Sequence, residues 1–351
     1  VKRLPDARGW PAWWLRRGAL AMVLAPLALL FGAGAALRRL AYRRGWRAAW
    51  RAPVPLLVVG NVTVGGSGKT PLVLAVARAL RAHGWHPGIV SRGYGRDPRA
   101  PDPLRVDIGS DPAACGDEPL LLRRLAACPV WVGRDRAAAA RALLGSDPEV
   151  DLLLSDDGLQ HLGLARDLEL VVVDSRGAGN GWLLPAGPLR EPWQRRRDAT
   201  LGPPAALARV DAAAPRFTLQ RRLGALRQFQ SGLRLDAAAF ARQHAGARVA
   251  ALAAIGDPQQ FFAMLGAAGI ALTSTLALPD HAAPDASACA GLKADALILT
   301  EKDALKCEPA WAASADVWVA ELELDIDPAF IPWLLAQLPA LPEHRHGLPP
   351  A

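Results

Sequence analysis

The sequence predicts an α/β fold: a parallel sheet covered by helices, a smaller second α/β unit behind it, and an apolar helical arm in front. Three observations predict it. From residue 53 onward, short apolar runs alternate with helical stretches, the pattern of strands buried on both faces. The first run leads into a glycine-rich loop and then a helix. Ahead of both, residues 18–36 carry no charge and are bracketed by arginines. With 351 residues, 51% of them hydrophobic and 21% charged, the chain can bury a core, is not disordered, and is long enough for about two domains.

The arm comes first. Residues 1–52 hold eleven Lys or Arg against one acid, a net of +10. The whole chain carries +8, so the other 299 residues together sit near −2. Basicity confined to an arm argues against nucleic-acid binding, which spreads cations over a folded face. The uncharged run approaches the ~20 apolar residues of a membrane span. Trp10, Trp13 and Trp14 stand before it, where indoles suit a lipid interface. Arg43, Arg47 and Arg51, with Trp46 and Trp50, recur at i,i+4 and predict a cationic, indole-striped helix lying on anionic lipid. The long basic start reads against a cleaved leader. A span, a half-inserted helix and a buried core helix remain as alternatives.

Strands are predicted over 54–59, 88–90, 130–132, 152–154 and 168–173, with helices over 71–83, 118–126 and 134–144. Residues 199–215 read as a surface connection or a poor last strand. Residues 216–235 read as a hairpin linker of two extended pieces around Gly224, its arginines forming a solvated face. A second unit follows over 236–339, with strands at 249–255, 273–276, 296–300 and 317–320, helices at 258–268 and 328–338, and a tail over 340–351. The nucleotide-binding unit is thus drawn over 53–215. Cys115, Cys128, Cys289 and Cys307 form no CxxC pair, which excludes a disulfide scaffold or zinc ribbon and fits a reducing compartment.

The strongest chemical signal runs from Gly60 through Thr63, Val64, Gly65, Gly66, Ser67 and Gly68 to Lys69 and Thr70. A buried strand, a glycine loop, Lys-Thr and a helix form the context of a P-loop. Its amides would cradle phosphate oxygens, Lys69 would reach the β- and γ-phosphates, and the Thr70 hydroxyl would hold Mg²⁺. Thr63 stands where the usual pattern has glycine. A second metal-organising carboxylate is expected at a neighbouring strand end, and Asp156 and Asp157 follow the 152–154 run. The guanine-reading [NT]-K-x-D string is not matched by Thr300-Glu301-Lys302-Asp303, so ATP is favoured over GTP.

These segments together resemble the tetraacyldisaccharide 4′-kinase family, the lipid A 4′-kinases. The matching strings are Gly60–Pro71, Ser91-Arg92-Gly93-Tyr94-Gly95, Gly116-Asp117-Glu118-Pro119, Asp156-Asp157-Gly158-Leu159-Gln160-His161, Gly179-Asn180-Gly181, Leu184 to Glu191, Asp280-His281, and Thr300 to Lys306. The resemblance extends over about residues 10–308 and includes Thr63 in the loop. It implies a P-loop kinase-like fold, ATP and Mg²⁺ as cofactors, and phosphoryl transfer to the 4′-hydroxyl of a tetra-acylated glucosamine disaccharide 1-phosphate at the cytoplasmic face of the inner membrane.

The resemblance also implies residue roles. Asp117 is the family's catalytic carboxylate and His281 its partner in a dyad. Asp156, Asp157, Thr70 and Glu191 surround the metal. Arg92 would hold a lipid phosphate, Tyr94 would pack on sugar, and Gln160 and His161 would touch nucleotide or sugar. Read from the residues alone, Asp117 is a helix N-cap, His281 an ordinary loop histidine, and Glu191 half of a surface ion pair with Arg190. With His281 in the second unit and Lys69 in the first, the site is expected in the cleft between them, with 216–235 as hinge. No protein partner is implied. Two other readings remain: a membrane-associated P-loop ATPase or GTPase acting on a protein partner, and a membrane-tethered nucleotide sensor.

Overall fold

Continuous runs of Leu, Val and Ile flanked by helices can bury both faces, and each such run is a strand. The computed structural model describes residues 10–65, 68–210, 214–280, 282, 291–307 and 316–340. His281, Gly66, Ser67 and the tail from residue 341 therefore lie outside the described residues. After a 3₁₀ turn (Ala12–Trp14), the arm continues as α1 (Ala19–Arg43). The first unit runs β1 (Leu56–Gly60), α2 (Lys69–Ala82), β2 (Pro87–Ser91), β3 (Leu104–Val106), α3 (Pro112–Cys115), α4 (Asp117–Ala126), β4 (Val130–Val132), α5 (Arg136–Ser146), β5 (Leu152–Asp156), β6 (Leu168–Val172), β7 (Ala199–Gly202) and α6 (Pro204–Leu207). The chain then passes through β8 (Arg216–Gln228), β9 (Arg234–Leu235), α7 (Ala237–Gln243), β10 (Val249–Ala253), α8 (Pro258–Ala267), β11 (Ser274–Ala277), β12 (Ala296–Thr300), α9 (Glu301–Ala304), β13 (Asp316–Ile326) and α10 (Phe330–Gln337).

All strands join one sheet, ordered β11-β10-β12-β13-β8-β7-β6-β1-β5-β2-β4-β3, with β9 against β8. Two halves, parallel except for the antiparallel edge strand β3, meet at the antiparallel pair of β8 and β13. The register decides what this does. β7 pairs with the start of β8, Gly202 opposite Thr218. β12 pairs with the start of β13, whose Ala320 lies opposite Leu226 near the far end of β8. Between them, a two-stranded ribbon runs for about six residues, or roughly 20 Å. The C-terminal strand ends of the two halves therefore face each other along it. Ligands in open α/β sheets bind at such ends.

Three readings from sequence are corrected. Residues 199–202 are a fully buried interior strand, because the ribbon beyond it continues the sheet. Arg216–Gln228 is one unbroken strand rather than two pieces; the reversal comes at 229–233, with Leu226 opposite Leu235. Third, α1 ends at Arg43, and Gly45 takes φ +73°, a left-handed turn that stops a helix. Arg47, Arg51, Trp46 and Trp50 thus share no helix, and Trp50 is bridged to Leu164.

The core has two layers over each half-sheet. In the first half, Leu57, Leu72, Val76, Leu80, Leu120 and Ile89 pack on one face, and Leu56, Val58, Ala140, Leu143 and Leu153 on the other. Phe330 and Leu334 of α10 belong to the first of these layers, with Phe330 and Trp333 both 5.3 Å from the Phe217 ring. The chain's far end thus closes the first unit's core.

α1 is not a core helix. Leu20, Met22, Val23, Leu27, Leu29, Leu30, Phe31 and Leu37 are all exposed. Its covered stripe is Ala21, Leu24, Ala25, Ala28, Gly32, Ala35 and Arg39, positions that share one helix face. Small residues let it lie close: a Cβ on Gly32 would meet Leu183 Cδ1 at 2.8 Å. With 25 residues, it spans about 38 Å.

Candidate active site

β1 delivers the loop. Gly65 and Gly68 take φ +97° and +89°, conformations in which glycine is unstrained. α2 then starts with Lys69, and its N-cap Gly68 has no side chain to satisfy the helix amides. Lys69 Nζ lies 3.5 Å from Asp157 Oδ1 and donates to Asn61 Oδ1 at 3.3 Å. Thr70 is buried in the first helical turn. Asn61, itself fully buried, donates to the Gly65 carbonyl at 3.1 Å and holds the loop's curve.

β5 lies beside β1, with Asp156 opposite Val59, so both carboxylates of the Asp-Asp pair arrive where the loop begins. Asp156 is buried, and its Oδ1 has no hydrogen-bond partner among the described residues. Burial, then Glu118 and Asp157, push its pKa up, against Lys69 and Arg136. Burial also opposes ionisation of Asp157, yet Lys69, Arg190 and Arg136 hold it below the usual carboxylate range. Arg190 Nη1 stands 3.2 Å from Asp157 Oδ2. Beneath them, the buried Arg136 donates to the Asp157 carbonyl at 2.8 Å.

The segment 178–191 braces both the loop and the arm. Val64 N–H donates to the Pro188 carbonyl at 2.9 Å and Arg190 N–H to the Val62 carbonyl at 2.7 Å. Asn180 Nδ2 donates to the Trp13 carbonyl at 2.8 Å. Trp10 is buried on the loop, donating to the Val64 carbonyl at 3.0 Å beneath Arg176; it does not stand free for a lipid interface. Glu191 is buried too and is no surface pair with Arg190. It accepts from Gln160 Nε2 at 2.9 Å and Arg195 Nε at 3.1 Å, and Arg39 of α1 reaches it at 3.5 Å.

Asp117 opens α4 after Gly116, which takes φ +94° and has no capping side chain. Asp117 is thus the first helical residue rather than its N-cap. It is buried, and Lys306, just past α9, places Nζ 2.5 Å from its Oδ2. That ion pair crosses from one unit to the other. Gly93 and Gly116 interlock: a Cβ on Gly93 would meet the Cys115 carbonyl oxygen at 2.7 Å. The turn carrying Arg92 and Tyr94 is therefore fixed beside Asp117, with both side chains exposed. His161 lies 3.5 Å from Asp135. Burial, then the Arg136 charge, lower its pKa to about 4, so it is neutral at pH 7.

The structure thus gathers Lys69, Thr63, Val64, Gly65, Gly68, Thr70, Asp156 and Asp157 at one strand edge, with Gln160 and Glu191 linked to them. Asp117 pairs with Lys306 at the start of α4, and its neighbour Glu118 is close enough to Asp156 to help raise that carboxyl's pKa. Arg136, Lys306 and Asn61 had no assigned role in the sequence reading. Asn61 and Lys306 lay inside the matching strings and could have been singled out; Arg136 carried no signal. The donor set suits a hard cation, which takes carboxylate and hydroxyl oxygens. A threonine hydroxyl, paired carboxylates and the orphaned Asp156 oxygen fit Mg²⁺.

Comparison with known proteins finds matches over most of the chain. The family described as "LpxK: Tetraacyldisaccharide-1-P 4′-kinase" matches residues 20–339. A protein named tetraacyldisaccharide 4′-kinase from Acidovorax sp. (strain JS42) is 49% identical over 336 residues, 95% of each chain. One of the same name from Chromobacterium violaceum is 49% identical over 357 residues, covering 95% of this chain and 98% of its own. Among solved structures, the "apo" form of LpxK from Aquifex aeolicus in complex with ATP superposes with a TM-score of 0.75 at 26% identity, covering 91% of this chain and 99% of that one.

Proposed function

The chain belongs to the tetraacyldisaccharide-1-phosphate 4′-kinase family, and from that premise we propose how its residues perform the transfer. It is a kinase that uses ATP and phosphorylates a tetra-acylated disaccharide 1-phosphate, a lipid A precursor, at the 4′-hydroxyl. Lys69 and the amides at the start of α2 hold the triphosphate. Thr70, Asp156, Asp157 and Glu191 hold Mg²⁺, which when bound neutralises phosphate charge. Asp117, with His281, receives the proton of the 4′-hydroxyl as the new O–P bond forms. The bond from the γ-phosphorus to the bridging oxygen breaks, and ADP leaves. Proton removal needs only a positioned, modest base, because charge neutralisation and alignment carry most of a phosphoryl transfer. Lys306 orients the Asp117 carboxylate from across the cleft. Arg92 and Tyr94, exposed beside Asp117, and Gln160 and His161 contact the sugar or its phosphate.

The lipid substrate places the work at a membrane. The exposed apolar face of α1 enters the leaflet, Arg16 and Arg17 lie at anionic headgroups, and the enzyme sits on the cytoplasmic face of the inner membrane. The chain divides into an arm over 1–52, units over 53–215 and 236–339, the latter sending α10 back onto the first unit's core, and the ribbon within 216–235 as hinge. The observation that most supports this reading is Lys69 standing 3.5 Å from Asp157, beside the buried Asp156, at the end of β1 and β5. No observation favours a protein-directed ATPase or a nucleotide sensor. The test is incorporation of label from γ-labelled ATP into the disaccharide lipid in mixed micelles. Label in the lipid supports the reading; acceptor-independent hydrolysis with an unlabelled lipid refutes it.

A further inference from the structure

The ribbon arginines read as a solvated face from sequence, and three of them are surface residues paired with glutamates: Arg222 with Glu323, and Arg227 and Arg234 with Glu321. Arg221 departs from this. It sits where β8 leaves β7 and pairs only with β13, Arg221 opposite Leu324. Its guanidinium turns onto the phosphate loop. A side chain on Gly68 would begin 2.7 Å from Arg221 Nη2, 3.1 Å from Nε and 3.3 Å from Cζ. The space that a Cβ would take beside the last loop residue before Lys69 is filled by a cation.

What that cation lacks is a close anion. Its hydrogen bond goes to a neutral amide, from Nη1 to Gln260 Oε1 at 3.3 Å. Among the described residues, no carboxylate lies within ion-pair distance of it, although Asp174 and Asp257 favour its charge from farther away. Arg176, beside Gly65, is by contrast paired with Asp174 at 2.5 Å. Burial presses on the Arg221 guanidinium, lowering its pKa. The side chain is half-buried, and a partly desolvated guanidinium without a carboxylate partner is costly unless an anion completes it. Its planar fork suits phosphate oxygens.

We propose that Arg221 is a direct ligand of the nucleotide's polyphosphate, supplied to the loop by the strand that joins the two units. The inference rests on the reading of the loop as an ATP site.

Titration of ATP, ADP and AMP into wild type, Arg221→Gln, Arg221→Lys and Lys69→Ala, with Mg²⁺ present, tests it. The Gln variant is expected to weaken ATP and ADP binding about tenfold, the value of one lost charge-assisted pair, and to leave AMP within twofold. The Lys variant retains charge without the fork and is expected to fall between; it also serves if the Gln variant does not fold. If Lys69→Ala loses ATP while either Arg221 variant binds ATP and ADP as wild type does, Arg221 is only a brace and the inference is overturned. A wild type that binds no ATP overturns both the inference and the reading beneath it.

Discussion

Each half-sheet sends strands into helices at facing edges, yet the helix starts differ. In the second unit, α8 is capped by Asp257, which accepts from Gln260 N–H at 3.2 Å. α9 is capped by Thr300, which accepts from Asp303 N–H at 3.2 Å. In the first, α2 and α4 both begin after a glycine with positive φ and no capping side chain. The first N–H groups of a helix need partners. Where Asp or Thr supplies one, the end is closed and adds stability. Where glycine stands, the amides and the positive end of the dipole are left for a ligand. The two units thus share an architecture, and within the first unit α3 and α5 are closed by Asp111 and Asp135 in the same way, while α2 and α4 start open.

Four substitutions break or sharpen this contrast. Lys69→Ala removes the cation at the open end of α2. Phosphate incorporation into the lipid is expected to fall about 10³-fold, with the melting temperature unchanged; a loss under tenfold would break the contrast. Lys306→Met removes the tie through which the second unit reaches the start of α4. Turnover is expected to fall about 10²-fold from misplacement of Asp117, while the KM for ATP stays within about threefold. A rise in that KM alone would make Lys306 a nucleotide contact instead. Thr300→Ala opens a closed cap and is expected to lower stability by about 1 kcal/mol in denaturant titration, with ATP affinity unaltered. Weakened ATP binding there would show that the second unit's caps serve the ligand after all. Arg222→Ala, on the solvent side of the ribbon, is expected to cost under ~0.5 kcal/mol and to leave transfer rates at wild type.

Much of the first unit was legible because its strands are continuous apolar runs and its helices are amphipathic. The strand at 130–132 and the second unit's strand at 296–300 match the observed bounds. Residues 199–202 were hard to read because Ala-Thr-Leu-Gly is short and weakly apolar; its burial comes from β6 and β8 on either side. The ribbon was read as two pieces because Gly224 interrupts it; pairing of Leu223 and Leu226 with β13 on either side carries the strand through. Within the site, the loop and the Asp-Asp pair announced themselves by spacing along the chain. Arg136 and Arg221 gave no such sign, since each works through a long side chain reaching a distant segment, and Lys306 stood at the end of a matching string without a role. The helix expected to continue past Arg43 stopped because Gly45 overrode the arginine periodicity.

The aromatic plug of Phe330 and Trp333 against Phe217 has a consequence for biogenesis. Synthesis proceeds from the amino terminus, and domains ordinarily complete themselves as they emerge. Here the half that is made first stays unsealed until α10 has left the ribosome, so completion runs backward through the polypeptide. A gene fragment ending at residue 235 would encode the nucleotide loop in full and still yield a half-built vessel.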